Sequence, residues 1–348
     1  MRRDINIYRI AEEAGVSVST VSRVMTHSAR VSENKKKRVQ EIIAKYDYRP
    51  NVLAQGLSLT STRTIGILSA DLENPFYTRI LTECAKEIDR RGYSPICFGT
   101  LSNYELEVKY LQKAYDMRVD ALILIGGKSD ELITDADFSD LINRISDAIP
   151  VVTSGKVDGT RCRQVCIDEI DSVDMAMNHL FSLGHRDIAL VGGRSDVRST
   201  YEKRARYRNL LRSRGIPFRE EYVVDSAYNA DGGYRGMNRI LDSQRSGMGP
   251  TAVMAINDFS AIGVLHSLEE HRLSVPEDMA VVSFDNTFIA DSMIPKLTSV
   301  GYDYAVFGRM LVDAAIDAAE RREVPAFQKV PSELYIRASS QAQRRQNA

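Results

Sequence analysis

No stretch of this 348-residue chain reaches the roughly 18 consecutive apolar residues that a membrane-spanning helix requires. The charged start, Met1-Arg2-Arg3-Asp4, has no apolar segment of the secretory type, so a cytoplasmic protein is expected. Cysteine is scarce: Cys84, Cys97, Cys162 and Cys166 show no metal-site spacing beyond the Cys162/Cys166 pair, which lacks a nearby histidine or further cysteine. Buried free thiols are therefore expected, with neither a disulfide framework nor zinc. Only five histidines occur, and Gly-x-x-x-x-Gly-Lys-Ser/Thr, Gly-x-Ser-x-Gly and His-Glu-x-x-His are all missing. Gly126-Gly127 and Gly192-Gly193 follow apolar runs and read as turns, and His185 sits in a turn before a strand. No enzyme activity, cofactor or metal is expected.

What is present is unevenly distributed. Residues 1–64 hold 12 Lys and Arg against 6 Asp and Glu, whereas the remainder holds 34 against 41. A cationic head on an anionic body suits a polyanion that touches only the head, although a small basic domain is also simply soluble. In the head, Asn6 can cap a first helix that places Ile7, Ile10, Ala11 and Ala14 on one face. Gly15 supplies the turn, and Ser17 caps a second helix with Val21, Val24 and Met25 inward and Val18, Ser19, Ser22 and Arg23 on the other side. A third helix beginning at Ser32, with Val31 before it, carries Val39, Ile42, Ile43 and Tyr46 inward. The run Lys35-Lys36-Lys37-Arg38 in its first turns opposes the helix dipole, so a compensating anion such as DNA phosphate is expected.

The residues Ala11-x-x-Ala14-Gly15-Val16-Ser17-x-Ser19-Thr20-Val21-Ser22-Arg23-Val24, Val31-Ser32, Tyr48-Arg49-Pro50-Asn51 and Ala54-x-x-Leu57 closely resemble the head of the LacI/GalR family of bacterial transcription regulators. The resemblance continues through nearly the whole chain. It implies a second helix lying in the major groove, with Val18 and Ser19 facing base edges and Ser17, Thr20, Ser22 and Arg23 mixing phosphate and base contacts. Ser32 and Lys36 join this DNA-binding set. Val18 can offer only apolar contact and Ser19 hydrogen-bonds without discrimination, so the operator sequence is not legible. Residues 51–57, opening on Asn51 and including Ala54, resemble the family's hinge helix, in which Leu57 would wedge into a central minor-groove step. Gly56 should weaken such a helix by about 1 kcal/mol relative to alanine.

From Thr64 apolar runs alternate with amphipathic stretches. Ile65 to Leu68, Ser94 to Phe98, Ala121 to Ile125 and Pro150 to Val152 read as one set of buried parallel strands. Gln164 to Ile167, Ile188 to Val191, Tyr222 to Val224, Thr251 to Ile256 and Ala280 to Phe284 read as a second. The expected fold is a small all-α helix-turn-helix head plus an α/β body of two doubly wound, periplasmic-binding-protein-like lobes with a ligand cleft at their strand C-termini. Expected boundaries are 1–50 for the head, 51–63 for the hinge, 64–164 plus about 299–323 for the N-terminal lobe, 165–296 plus about 324–340 for the C-terminal lobe, and a 341–348 tail. A helix from about Tyr304 to Arg321 should cross back to the first lobe. The tail lacks apolar heptads, so a tetramerising coiled coil is not expected.

The body's register, Asn74-Pro75-Phe76-Tyr77, Gly184-His185-Arg186, Asn257-Asp258 and Phe284-Asp285-Asn286, matches the same family. By that resemblance Phe76, Tyr77 and Tyr228 offer faces to an effector, while Asn257, Asp258 and Asp285 meet its hydroxyls. Lys203 stands where the family typically has arginine, and lysine lacks arginine's planar fork. Either the ligand is atypical, anionic given Lys203, Arg204 and Arg206 together, or Arg204 substitutes. The resemblance thus implies a homodimeric repressor of carbohydrate-utilisation genes that binds a palindromic operator under control of a sugar-like effector. The rival reading is a two-lobed solute-binding receptor without a DNA role, against which the basic head argues.

Overall fold

The computed structural model describes residues 5–26, 31–46, 48, 61–243 and 249–341, and the chain divides into two compact units between Thr62 and Arg63. In the first unit, α1 (Ile7–Ala14), α2 (Val18–Thr26) and α3 (Glu33–Lys45) pack around Ile10, Ala11, Ala14, Val21, Val24 and Val39, all buried. Asn6 Oδ1 accepts the Arg9 amide at 3.0 Å, which starts α1. Gly15 ends it in the left-handed region at φ 62°. Ser17 Oγ accepts the Thr20 amide at 3.3 Å, whereas Ser32, which precedes α3, makes no side-chain capping bond. Tyr46, expected inward, lies outside this core, with the Lys45 ammonium over its ring at 4.8 Å. Tyr48 packs against the core instead.

The second unit holds two six-stranded sheets. The strands are β1 (Thr64–Ser69), β2 (Ser94–Gly99), β3 (Ala121–Ile125), β4 (Val151–Thr153), β5 (Arg163–Ile167), β6 (Ile188–Val191), β7 (Val223–Val224), β8 (Ala252–Ala255), β9 (Ala280–Asp285), β10 (Thr298–Tyr302), β11 (Phe327–Val330) and β12 (Ser332–Tyr335). The first sheet has the order β11-β5-β4-β3-β1-β2 and the second β12-β10-β9-β8-β6-β7. Pairing is parallel except for β12, which runs antiparallel to β10. The connecting helices are α4 (Pro75–Arg90), α5 (Tyr104–Asp116), α6 (Ala136–Ser146), α7 (Glu169–Ser182), α8 (Arg198–Ser213), α9 (Ala230–Ser243), α10 (Asp258–Glu270), α11 (Phe288–Ser292) and α12 (Tyr304–Ala319). Apolar residues fill both faces of the two sheets, as parallel sheets require.

Three lobe assignments differ from the sequence expectation, one of them strand β11, which was expected in the C-terminal lobe and pairs with β5 in the first sheet. Strand β5, expected to open the second lobe, pairs with β4 in the first sheet, with β11 at its other edge. Strand β10, expected in the first lobe from residue 299, pairs with β9 and β12 in the second. The chain therefore crosses between lobes after β5, after β10 and between β11 and β12. Helix α12 returns to the first lobe, as expected, packing Phe307 and Leu311 with Ile80 and Cys84 of α4. The expected burial of all four cysteines fails at the edge strand β2, where Cys97 is exposed; Cys84 is buried and the other two are intermediate.

Helices α9 and α10 approach more closely than side chains allow. A β-carbon at Gly263 would lie 1.7 Å from the Ala230 carbonyl oxygen, and one at Gly233 1.9 Å from that of Ser260. Both neighbours are backbone, so neither can yield without moving a helix. Gly263→Ala is expected to destabilise the body by about 3 kcal/mol or prevent its folding, as read by urea denaturation. Unchanged stability would show that the two helices separate freely.

Candidate functional site

At the start of α2 three hydroxyls form one cluster: Ser17 Oγ lies 2.8 Å from Ser19 Oγ and 2.9 Å from Thr20 Oγ1. Ser19 and Arg23 are exposed, Thr20 and Ser22 are half-buried, and the helix N-terminus behind them carries unpaired amides suited to phosphate. Val18, expected wholly on the outer face, packs partly against the head core. On α3, Lys36 is half-buried and 3.8 Å from Glu33, while Lys35, Lys37 and Arg38 are exposed. Asn51, Ala54 and Leu57, with the expected hinge, lie outside the described residues.

In the body a cleft of about 730 Å³ opens between the C-terminal ends of the two sheets' strands. Asn74 starts α4 by accepting the Phe76 amide at 3.0 Å, which sets Phe76 and Tyr77 at the cleft wall. Their rings meet edge to face at 5.1 Å. A β-carbon at Gly126 would sit 2.6 Å from the Tyr77 ring, so this glycine, at φ 73°, makes room for it. From the second lobe, Tyr228 Oη lies 2.6 Å from Thr200 Oγ1, and burial pushes its phenol up to about 12. Asn257 lines the cleft, but its Oδ1 accepts the Ser260 amide at 2.8 Å and its Nδ2 donates to the Tyr228 carbonyl at 3.1 Å.

Asp285 ends β9 with φ 96°, a conformation that costs about 1–3 kcal/mol for a residue with a side chain. Tyr304 Oη donates to its carbonyl at 2.7 Å and Ser299 Oγ accepts the next amide at 2.9 Å, which hold the kink. Its carboxylate lines the cleft and accepts no hydrogen bond from the described chain. Burial, reinforced by the charge of Asp258, raises its pKa well above the ordinary range.

Three expected ligand groups are committed elsewhere. Asp258 is fully buried and does not line the cleft. Its carboxylate accepts from Ser283 Oγ (2.5 Å), Thr287 N (2.6 Å), Thr287 Oγ1 (3.0 Å) and Ser299 Oγ (2.8 Å), tying α10 to β9 and β10. Arg204 pairs with Asp225 and donates to the Gly192 and Gly193 carbonyls. Arg206 pairs with Asp174 through both Nε and Nη2 at 2.7 Å. Lys203 does line the cleft, but it is buried against Glu169 and lies 5.1 Å from the Phe284 ring centroid. The cationic trio expected from the sequence is thus dispersed.

The structure adds residues that the sequence reading missed. Asp130 Oδ2 accepts from Ser199 Oγ across the cleft at 2.9 Å, and burial raises its pKa to about 6. Beside it, Leu132 N donates to the Asp196 carbonyl at 2.8 Å, and Arg198 Nη2 reaches the Leu132 carbonyl and Asp158 at 2.9 and 2.8 Å. These bonds clasp the lobes together. Glu107, burial-raised to about 7, and Glu169 also line the cavity. Asp130 and Glu169 each lie a few residues past an apolar strand's C-terminal end, which is the signal that points to them.

Residues 6–51 match the model of bacterial regulatory proteins of the lacI family, and residues 177–340 match a periplasmic binding protein-like domain. Catabolite control protein A of Priestia megaterium is 30% identical over 299 residues, covering 85% of this chain and 87% of that protein. The chain belongs to the LacI family. A lac repressor dimer bound to operator and an anti-inducer superposes with a TM-score of 0.85 at 25% identity, over 98% of this chain and 100% of that one. A LacI-family regulator from Enterococcus faecium with bound ribose gives 0.68 at 25% identity, over 80% and 98%. This LacI-family chain is a DNA-binding transcription regulator with a ligand-binding effector domain; its relatives are regulators rather than enzymes. Among the described residues no helix is long and apolar enough to cross a membrane.

The two aspartates should separate by stability. Asp258→Ala strands several buried donors and is expected to cost about 3 kcal/mol by urea denaturation. Asp285→Asn removes a buried acid whose folded pKa exceeds its unfolded one, so the stability this group contributes is lost as pH rises above about 4 and the variant escapes that loss. Thermal unfolding should place the variant level with wild type near pH 4 and above it near pH 8. A gap that does not widen with pH would contradict the burial of an unpaired Asp285.

Proposed function

We propose that this regulator is a cytoplasmic homodimeric repressor of carbohydrate-utilisation genes, whose affinity for a palindromic operator is set by a small ligand between the body's lobes. The observation that carries the reading is Asp285: a buried carboxylate, strained in backbone and without a hydrogen-bond partner among the described residues, facing a cavity at strand C-termini. Such a group is held in place for something that the chain does not itself contain. Phe76, Tyr77 and Tyr228 supply ring faces beside it, Lys203 a charge already half satisfied, and Asn257 a wall whose amide is committed to the fold. Asp258 takes the role of a support under Asp285 rather than of a ligand contact.

On the DNA side, the reading places Ser19 and the exposed edge of Val18 at base edges, and Ser17, Thr20, Ser22, Arg23, Ser32 and Lys36 at the backbone or groove edge. Asn51, Ala54 and Leu57 complete the set by family register alone. A two-fold dimer requires two half-sites in inverted orientation. The dimeric, operator-bound lac repressor and the ribose-bound relative support the dimer and the sugar-like effector. A ligand that prefers one arrangement of the lobes shifts DNA affinity only by its differential affinity for the two arrangements. The clasp formed by Asp130, Leu132, Arg198 and Ser199 is what must part to admit it.

Selection of bound DNA from a random pool should enrich inverted repeats; enrichment of none would sink the proposal. Ser19→Ala should alter the preferred bases, while Lys36→Ala should weaken all sequences alike and lower the salt slope of log K by about 1.

A further inference from the structure

The charges of the cleft do not balance. Six cations line it, and every one is already in an ion pair with a carboxylate; the deepest, Lys203, is held by Glu169. Eight carboxylates line the same cavity, and Asp71, Glu107, Asp130, Glu202 and Asp285 have no ion-pair partner among the described residues. Asp285 is only 9% exposed and its carboxylate accepts nothing from the described chain. Tyr77, lining the same cleft from the first lobe, feels the charges of Asp130 and Asp285 together.

An anionic ligand would add like charge to this surplus. A neutral polyol can donate to the carboxylates but leaves their charge uncompensated in a poorly solvated site. A cation supplies both a donor and the missing charge, and electron-rich aromatic rings beside it add to the attraction. Burial, and after it the charge of neighbouring carboxylates, raises the pKa values of Asp130 and Asp285, and a bound cation would offset both effects.

We propose that the effector of this chain is a polyhydroxylated primary amine, an amino sugar with its nitrogen unacylated, whose ammonium is held by Asp285 beside the Tyr77 ring. The proposal rests on the reading of the cleft as the effector site and narrows it to one charge class. Hydroxyls of the same ligand meet Asp130 and Glu107, and the Lys203–Glu169 pair closes the floor against a phosphate.

The test is isothermal titration calorimetry of the full chain, near neutral pH, with glucosamine, galactosamine and mannosamine, each beside its parent sugar, its N-acetyl derivative and its 6-phosphate. At least one amine should bind about tenfold or more tightly than its parent and acylated forms. Asp285→Asn, its fold checked by circular dichroism, should erase that preference, weakening the amine more than its parent sugar. Glu169→Gln, which frees Lys203, should weaken the amine and favour the 6-phosphate. Absence of binding by all three amines, or equal or tighter binding of a neutral or phosphorylated form, overturns the amine proposal. A neutral or phosphorylated sugar whose binding Asp285→Asn abolishes would leave the effector-cleft reading standing. Any sugar that binds with indifference to both Asp285→Asn and Lys203→Met would overturn that reading as well.

Discussion

The body depends on the chain crossing three times between two sheets that share no strand pairing. Each crossing leaves from or arrives at a strand end, so the two sheets are held with their C-terminal edges toward one another. Ligand-facing loops of α/β sheets lie at that edge, and two edges facing each other enclose a cavity instead of a surface crevice. Opposite the covalent crossings, the Asp130, Leu132, Arg198 and Ser199 bonds close the rim. They are few and polar, so the geometry allows a hinge in which the crossings stay and the rim parts.

Within that enclosure, the distribution of partners separates groups that build the site from groups available to a ligand. Asp258 and Asp285 are both buried carboxylates on neighbouring elements of one lobe. Asp258 is surrounded by four donors and is part of the frame. Asp285 has none among the described residues, and its left-handed backbone is held by bonds from Tyr304 and to Ser299 that do not engage the carboxylate. The same division sorts the basic residues of α8: Arg204 and Arg206 are spent on Asp225 and Asp174, while Arg198 and Lys203 reach the cleft, each already paired with a carboxylate. The site is consequently acidic, although its sequence neighbourhood is strongly basic.

The head makes a comparable compromise. A three-helix unit of this size has few core positions, and α2 must contribute to them while presenting an outer face. Val21 and Val24 are fully committed and Val18 is shared between core and exterior. The hydroxyl cluster of Ser17, Ser19 and Thr20 is what remains at the helix start, where unpaired amides already favour an anion.

The helices of the head, nearly all strands of the body and the family were legible in the sequence because they rest on local patterns: caps at Asn6 and Ser17, the left-handed glycine at position 15, and apolar runs of strand length. Register with the family likewise points to Phe76, Tyr77, Lys203, Tyr228, Asn257 and Asp285, all of which line the cleft. Sheet membership of β5, β10 and β11 was not legible, since a strand is equally buried in either lobe; β5 and β11 are placed by pairing with each other across more than a hundred residues, and β10 by its pairing with β9 and β12. Nor was the electrostatic character of the cleft. Sequence adjacency put Lys203, Arg204 and Arg206 together, whereas successive residues of a helix point in different directions, and the tertiary structure supplied each with a separate carboxylate.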